Sequence, residues 1–298
     1  MSDLSYKLYR SIFNQAGHGN LTRAPIHVDI ELAKRCNLAC TMCPYGSDEW
    51  VSTQTQGMMK TELALQLVRE IKDLGVLALK PNFRGEPLMH KDLERVLHEA
   101  QGMADIRINT NLTALTMARA YALKNLCDLI IVSQDGATKE TYESIRVGAS
   151  WERHMANLQM LADVKGKAKV SVQFVEQISN AHESEMFIKQ CEDMGFEALV
   201  KPVMSRHENG DFLMGDRKAT GRQLCQQPYQ RIVVGFDGRA YACCSAWYEE
   251  SYIGTYPDQS ISDLLNSYAM NRIRQLARSP DAAEPCKSCQ VGTSYTWG

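Results

Sequence analysis

With 298 residues, 44% apolar and 23% charged, the chain can bury one barrel-sized core plus a small appendage and is too apolar to be largely disordered. Its formal net charge is -2 and its 33 basic residues are scattered, which argues against a cationic face for nucleic acid or anionic lipid. The start, MSDLSYKLYRSIFNQ, lacks an apolar signal core and no run of ~18 apolar residues occurs, so a cytoplasmic location without a membrane partner is expected. In that reducing compartment the ten cysteines are expected to bind metal or carry redox chemistry rather than form disulfides.

Residues 1–25 read as an N-terminal extension. From Ile26 to residue 204, short β-rich runs alternate with helical periodicity. Strands are predicted over 26–32, 76–84, 105–110, 128–134, 168–175 and 197–203, while Leu63, Leu67, Ile71 and Leu74 mark one buried helical stripe. Six βα units in series predict a parallel sheet, open or partly closed. Strands covered on both faces should be nearly all apolar, yet polar residues alternate here: His27, Asp29, Glu31; Lys80, Asn82, Arg84; Arg107, Asn109, Asn111; Ser171, Gln173. If Val28, Ile30, Leu77, Leu79, Ile106, Ile108, Val170 and Val172 face the helices, the polar set lines a wide lumen, where it holds a polar guest or forms a buried network. Further on, 204–224 reads as a loop, 230–243 as a hairpin turning at Asp237-Gly238, and 261–278 as a helix.

Cys36, Cys40 and Cys43 form C-x3-C-x2-C just past the first strand, at the end of the sheet where α/β folds place their chemistry. Three thiolates suit a soft metal centre, and a cubane held by three cysteines keeps one iron open. Zinc would want a fourth ligand close by, and neither His nor Cys follows before His90.

The run Cys36-Asn37-Leu38-Ala39-Cys40-Thr41-Met42-Cys43, together with Arg84-Gly85-Glu86-Pro87, resembles the radical S-adenosylmethionine (SAM) superfamily. The resemblance implies an α/β fold, a partial (β/α)6 TIM-like barrel over 26–204, and a cytoplasmic enzyme with a [4Fe-4S] cluster on Cys36, Cys40 and Cys43. SAM would chelate the open iron and be cleaved to a 5′-deoxyadenosyl radical by one electron, from a donor such as flavodoxin or ferredoxin. By the same resemblance Gly85, Glu86 and Pro87 hold the SAM amino group, and Asn109, Asn111, Ser133, Gln134 and Arg146 surround its ribose and carboxylate. Met42 packs near adenine and Tyr45 joins the cofactor-binding set. Two departures stand out: Gln134 where many relatives carry a smaller or apolar residue, and Asn111-Leu112 where they end Asn-Gly.

Cys225, Cys243, Cys286 and Cys289 make a second group, C-x17-C-x42-C-x2-C, across the predicted hairpin and helix. The arrangement resembles the twitch domain, a shortened relative of SPASM, and implies one auxiliary [4Fe-4S] cluster in a small domain over 205–298, hence two clusters per chain. A structural zinc ribbon is the plainer alternative, but only one C-x2-C pair is present. Cys127 and Cys191 read as small core residues, whereas Cys244, adjoining a ligand, is a candidate catalytic thiol. Glu31, Arg84, Lys201, Arg206, His207 and Glu208, with Asp211, are candidate substrate contacts because loops at that end commonly build the pocket.

The leading expectation is a radical SAM oxidoreductase or epimerase acting on a polar small molecule such as a sugar, aminocyclitol or nucleotide-like compound. A maturase of ribosomal peptides is the alternative, set lower because a leader-binding domain of roughly 80 residues is common there and only about 25 precede the first strand. A non-catalytic iron–sulfur or zinc protein is the third reading, opposed by the full set of SAM-site motifs.

Overall fold

The computed structural model describes residues 3–16, 24–202, 225–244, 251–277 and 286. Helix α1 (Asp3–Ala16) precedes β1 (His27–Ile30); a ribbon of β2 (Ala33–Lys34) and β3 (Gly57–Met58) follows, with α2 (Asp48–Thr53) between its strands. Then come α3 (Thr61–Asp73) and β4 (Ala78–Lys80), α4 (Leu93–Glu99) and β5 (Asp105–Thr110), and α5 (Met117–Leu126) and β6 (Leu129–Ser133). The pair α6 (Lys139–Ile145) and α7 (Trp151–Asp163) leads to β7 (Lys169–Glu176), and α8 (Ser184–Asp193) to β8 (Glu197–Pro202). The C-terminal part holds α9 (Gln227–Gln230), β9 (Arg231–Val234), β10 (Arg239–Tyr241), β11 (Tyr252–Thr255), α10 (Ile261–Asn266) and α11 (Tyr268–Leu276).

The six expected strands pair in parallel in the order β1-β4-β5-β6-β7-β8. Hydroxyl side chains start several helices: Thr116, Thr138 and Ser150 accept the N–H three residues on and so cap α5, α6 and α7. Strand β4 is shorter than predicted and ends at Lys80, because Pro81 has no N–H to donate. The predicted helix over 261–278 is two helices: Ser267 is extended and its hydroxyl caps α11 by accepting from Met270 N.

One pairing was not expected. Strand β9 lies parallel to β1, in register His27↔Arg231 to Ile30↔Val234, and β10 and β11 continue antiparallel from it. The predicted hairpin therefore extends the barrel sheet into nine strands. The loop expected over 204–224 lies outside the described residues, as does that side of the expected boundary at 204/205.

Period-2 alternation sorts the strands as anticipated. Val28, Ile30, Leu79, Ile106, Ile108, Val170 and Val172 join the main core between sheet and helices, with Ile232, Val234, Ala240, Leu264 and Met270 from the C-terminal part. Leu77 is a correction: it lies just before β4 and packs in a separate cluster with Tyr9, Phe13, Ile26 and Ala78, beneath α1. Helix α1 closes the end of the lumen opposite the cysteine loop, and Gln230 Nε2 ties it down by donating to Phe13 O at 2.8 Å. Above this plug, His27, Asp29, Glu31, Asn82, Arg84, Arg107, Asn111 and Ser171 are all buried. Part of the lumen is the buried network weighed above: His27 Nε2 meets Asp29 Oδ1 at 2.9 Å, Arg231 Nη1 donates to Asp29 Oδ2 at 2.9 Å, and Arg107 Nε donates to Asp105 Oδ2 at 2.6 Å.

Candidate active site

The chain leaves β1 at Glu31 and passes through β2 into the cysteine loop, which curls in successive tight turns. Cys43 N donates to Cys40 O at 3.0 Å and Gly46 N to Cys43 O at 2.8 Å; a Cβ on Gly46 would come within 2.4 Å of Cys40 O. Ala39 N and Thr41 N donate to Val147 O and Ile145 O, both at 2.9 Å, clamping the loop to the end of α6. Burial pushes the Cys36 thiol up to about 12, and Cys40 up to about 11 even beside the Arg146 guanidinium. Cysteine-bound iron would displace those protons.

Among the described residues no three His, Cys, Asp or Glu gather tightly enough for a single ion. Cys36, Cys40 and Cys43 nonetheless stand close enough for each thiolate to disfavour the others. Three thiolates on one loop suit a cubane, in which each cysteine takes a different iron. Two donors reach the sulfurs: Asn111 Nδ2 to Cys36 Sγ at 3.7 Å and Arg146 Nη1 to Cys40 Sγ at 3.9 Å. Donors of this kind orient ligands and tune a cluster.

Gly85 lies at φ +71, and a Cβ there would meet Ala33 O at 2.2 Å and Arg35 O at 2.6 Å, so the turn fits only against the strand that leads to Cys36. Glu86 N donates to Arg35 O at 2.9 Å, and Pro87 starts a 3-10 turn ending at Met89. The buried Glu86 carboxylate accepts from Leu88 N at 3.0 Å, Thr110 Oγ1 at 2.7 Å and Asn111 N at 2.7 Å. Burial raises its pKa, against the pull of these donors. Asn111 Oδ1 is held by Thr113, and its amide also donates to Asn37 Oδ1 at 3.1 Å. Leu112, at the departure from Asn-Gly, sits at φ +66, where glycine is at ease and leucine is strained.

Asn109 and Ser133 are half-buried on the lumen face, and Asn109 N donates to Asn82 Oδ1 at 3.0 Å. Gln134 does not join them. It shares the parity of Val132, opposite to Ser133, so its side chain enters the helical layer, where Oε1 meets His154 Nε2 at 2.9 Å beside Met155, Leu158 and Cys191. A SAM contact through the Gln134 side chain is therefore corrected. The next residue, which sequence reasoning left out, matters more: buried Asp135 contacts Arg146 Nη2 at 2.5 Å and accepts from Val175 N at 2.8 Å, thereby fixing the arginine beside Cys40. Met42 is half-buried, and Tyr45 is buried with its ring 5.2 Å from Trp50. Asn37 and Thr110 were also missed, although Asn37 lies within the quoted cysteine run and Thr110 between Asn109 and Asn111.

On the substrate side, Glu31 and Arg84 meet each other. Arg84 Nε and Nη2 donate to Glu31 Oε1 and Oε2 at 2.6 and 3.0 Å, and Phe236 N donates to Oε2 at 3.3 Å, tying β1 to the β9–β10 turn. This bidentate pair is a tether between segments rather than an open substrate hook. Lys201 stands near Arg107, and burial lowers its pKa. Arg206, His207, Glu208 and Asp211 lie outside the described residues, as does Cys289. Cys225, Cys243 and Cys286 are half-buried, and no disulfide involves a described cysteine. Cys244 packs with Phe83 against Val233 and Tyr241, on the lumen side.

A family model described as the radical SAM superfamily matches residues 30–175, and one described as an iron-sulfur cluster-binding domain, SPASM, matches 225–290. The chain belongs to the radical SAM superfamily. A radical SAM enzyme of this build uses [4Fe-4S] chemistry with SAM and needs a reductant. Relatives include a probable GTP 3',8-cyclase of Methanosarcina acetivorans, 34% identical over 39% of this chain and 35% of that protein. Another is the mycofactocin maturase MftC of Mycobacterium tuberculosis, 29% identical over 51% of this chain and 38% of that protein. The chain thus spans little more than a third of the length of these curated relatives. Among solved structures, BtrN in complex with AdoMet and 2-DOIA superimposes with TM-score 0.61 at 19% identity, covering 89% of this chain and 92% of that one. SuiB of Streptococcus suis bound to S-adenosylmethionine gives 0.70 at 12% identity, covering 88% and 71%. At such identities the likeness is one of fold. No described helix is long and apolar enough to cross a membrane.

Proposed function

We propose that this radical SAM enzyme acts on a polar small molecule held in the barrel lumen, oxidising or epimerising it. The supporting observation is the lumen itself, which is closed below by α1 and lined by buried polar and charged side chains. When bound, the cluster and SAM supply a 5′-deoxyadenosyl radical for hydrogen abstraction. Cys36, Cys40 and Cys43 hold the cluster; Glu86, the Asn109 and Asn111 segment, Ser133, Arg146, Met42 and Tyr45 position SAM; Cys225, Cys243, Cys286 and Cys289 hold an auxiliary cluster. Residues 26–204 form the radical-generating barrel and 205–298 the auxiliary segment, with flavodoxin or ferredoxin as the reductant. BtrN, solved with AdoMet and 2-DOIA and nearly matched in length, supports the small-molecule reading.

A modified peptide is the second reading, favoured by SuiB bound to the precursor peptide SuiA, which covers 98% of this chain at TM-score 0.64. The test is anaerobic incubation of reconstituted protein with dithionite and SAM, followed by assay of 5′-deoxyadenosine. Release is expected; none at all removes the enzyme reading. Candidate polyols, nucleotides and peptides are then scored for incorporation of substrate deuterium into 5′-deoxyadenosine, and label from a peptide alone overturns the small-molecule reading.

A further inference from the structure

Among the described residues the charges around Asp29 and Asp105 do not balance. Asp29 is in cross-strand register with Lys80 on one side and Val233 on the other, yet both its oxygens are engaged elsewhere, Oδ1 by His27 and Oδ2 by Arg231. Tyr9 OH lies 3.2 Å from His27 Nδ1, which fits a neutral ring that donates from Nε2 to Asp29. Asp105 is likewise engaged by Arg107. Two aspartates are thus matched by two arginines, and Lys80 is left over. Leu79 faces the core, so Lys80 points into the lumen, where Asp29, Arg231, Arg107 and Cys244 are its electrostatic neighbours. Among the described residues its ammonium has no hydrogen-bond or ion-pair partner. Lys201, also near Arg107, has Glu197 beside it and is not counted in this surplus.

A half-buried ammonium without a counter-ion is disfavoured by desolvation. Burial accordingly lowers the Lys80 pKa; Asp29 and Cys244 oppose the shift, and Arg231 and Arg107 add to it. An arriving anion would offset both the burial and the neighbouring cations. Lys80, with Arg231 and Cys244 as neighbours, stands level with Asp29, two residues before Glu31, where the chain leaves β1 for the cysteine loop.

We propose that Lys80 and Arg231 form an anion subsite in the lumen, so that the substrate carries a phosphate or carboxylate. This rests on the reading that the lumen takes the substrate, and it narrows a polar molecule to an acidic one.

The test is calorimetric titration of the reconstituted full-length protein, with SAM present, using inorganic phosphate and separately succinate as probes. Saturable binding of at least one anion is expected, roughly ten-fold weaker in Lys80→Met, as for loss of one charge-assisted contact. Lys80→Arg should restore most of it, and Lys165→Met, on the exposed surface, should leave it intact. Lys80→Gln substitutes for Lys80→Met if the latter loses its cluster absorbance. Tighter phosphate binding assigns a phosphorylated substrate, and tighter succinate binding a carboxylate. The proposal fails if the native protein binds neither anion, if Lys80→Met and Lys80→Gln bind as well as native, or if Lys165→Met is equally impaired. SAM cleavage by the unmodified protein, measured on the same preparation, reports separately on the radical reading.

Discussion

Glu86 does more than its motif implies. Three donors converge on its carboxylate from two segments of chain, so it ties the turn after β4 to the end of β5 and leaves about one lone-pair direction for an incoming ammonium. In Glu86→Gln the new amide must face one of those N–H or O–H groups. A loss of roughly 1–3 kcal/mol of stability is expected from the unsatisfied donor, with SAM binding roughly ten-fold weaker. Urea denaturation and SAM titration read the two effects, and unchanged SAM affinity would remove Glu86 from the cofactor site. Leu112 is the reverse case. Its positive φ costs roughly 1–2 kcal/mol, but its side chain is fully buried in the core, and truncating a buried leucine costs roughly 2–5 kcal/mol. Leu112→Gly should therefore destabilise the protein despite relieving the backbone; a higher urea midpoint would mean that strain dominates. Cys244 separates the two proposed chemistries, because epimerisation needs a hydrogen donor and its thiol is on the lumen side. Cys244→Ala should keep its iron; normal epimerising turnover would exclude the thiol as donor, and loss of iron would make it a ligand in place of Cys243.

At the scale of elements, α1 and β1 are joined by a buried histidine. Burial depresses His27 to about 4 from the usual 6.5, although Asp29 beside it pulls upward. Between those values the unfolded chain binds more protons than the folded one, so stability is complete above pH 6.5 and falls as pH drops toward 4. His154, pushed down to about 3 by burial, acts in the same direction. The His27 contribution amounts to roughly 1.4 kcal/mol per pH unit within its window. His27→Gln should flatten the pH dependence of the urea midpoint by about one proton, and an unaltered slope would show that His27 is not the group involved. Most of the strands were legible because the polar and apolar residues alternate cleanly, as in Arg107, Asn109 and Asn111 against Ile106 and Ile108. The cysteine loop and the Glu86 turn were legible as local motifs. Pairings between distant segments were not: nothing in Arg231-Ile232-Val233-Val234 says that it will lie against β1, and neither Glu31 nor Arg84 advertises the other 53 residues away. Gln134 was misplaced because one residue of register past β6 reverses the face, and the helix break at Ser267 was hidden because a capping serine also tolerates a helix interior.

For the molecule as a whole, the sheet joins what the sequence divides. Ile232, Val234, Ala240, Leu264 and Met270 share one apolar core with Val28, Leu67 and Ile108, so the C-terminal segment is built onto the core of the barrel. The two cysteine groups nevertheless differ in how they are built. Cys36, Cys40 and Cys43 belong to a single loop clamped by Val147 and Ile145, whereas Cys225 precedes α9, Cys243 follows β10, and Cys286 comes after α11. The first loop is preformed by local hydrogen bonds, whereas the second group is drawn from segments far apart in the chain. About eight irons per chain are expected after anaerobic reconstitution, four for each cubane. Replacing Cys36, Cys40 and Cys43 by alanine should lower that to about four and abolish 5′-deoxyadenosine release, leaving the shared core and the other site intact. Breaking the Glu31–Arg84 tether is the complementary change. Glu31→Gln leaves the buried Arg84 without its carboxylate, a loss of roughly 3–5 kcal/mol, and it loosens the β9–β10 turn that Phe236 N anchors to Glu31. Iron loss should then fall first on the C-terminal site. About four irons in the unmodified protein would reduce the count to one cluster, and equal losses from both sites in Glu31→Gln would show that the tether supports the barrel as a whole rather than its auxiliary edge.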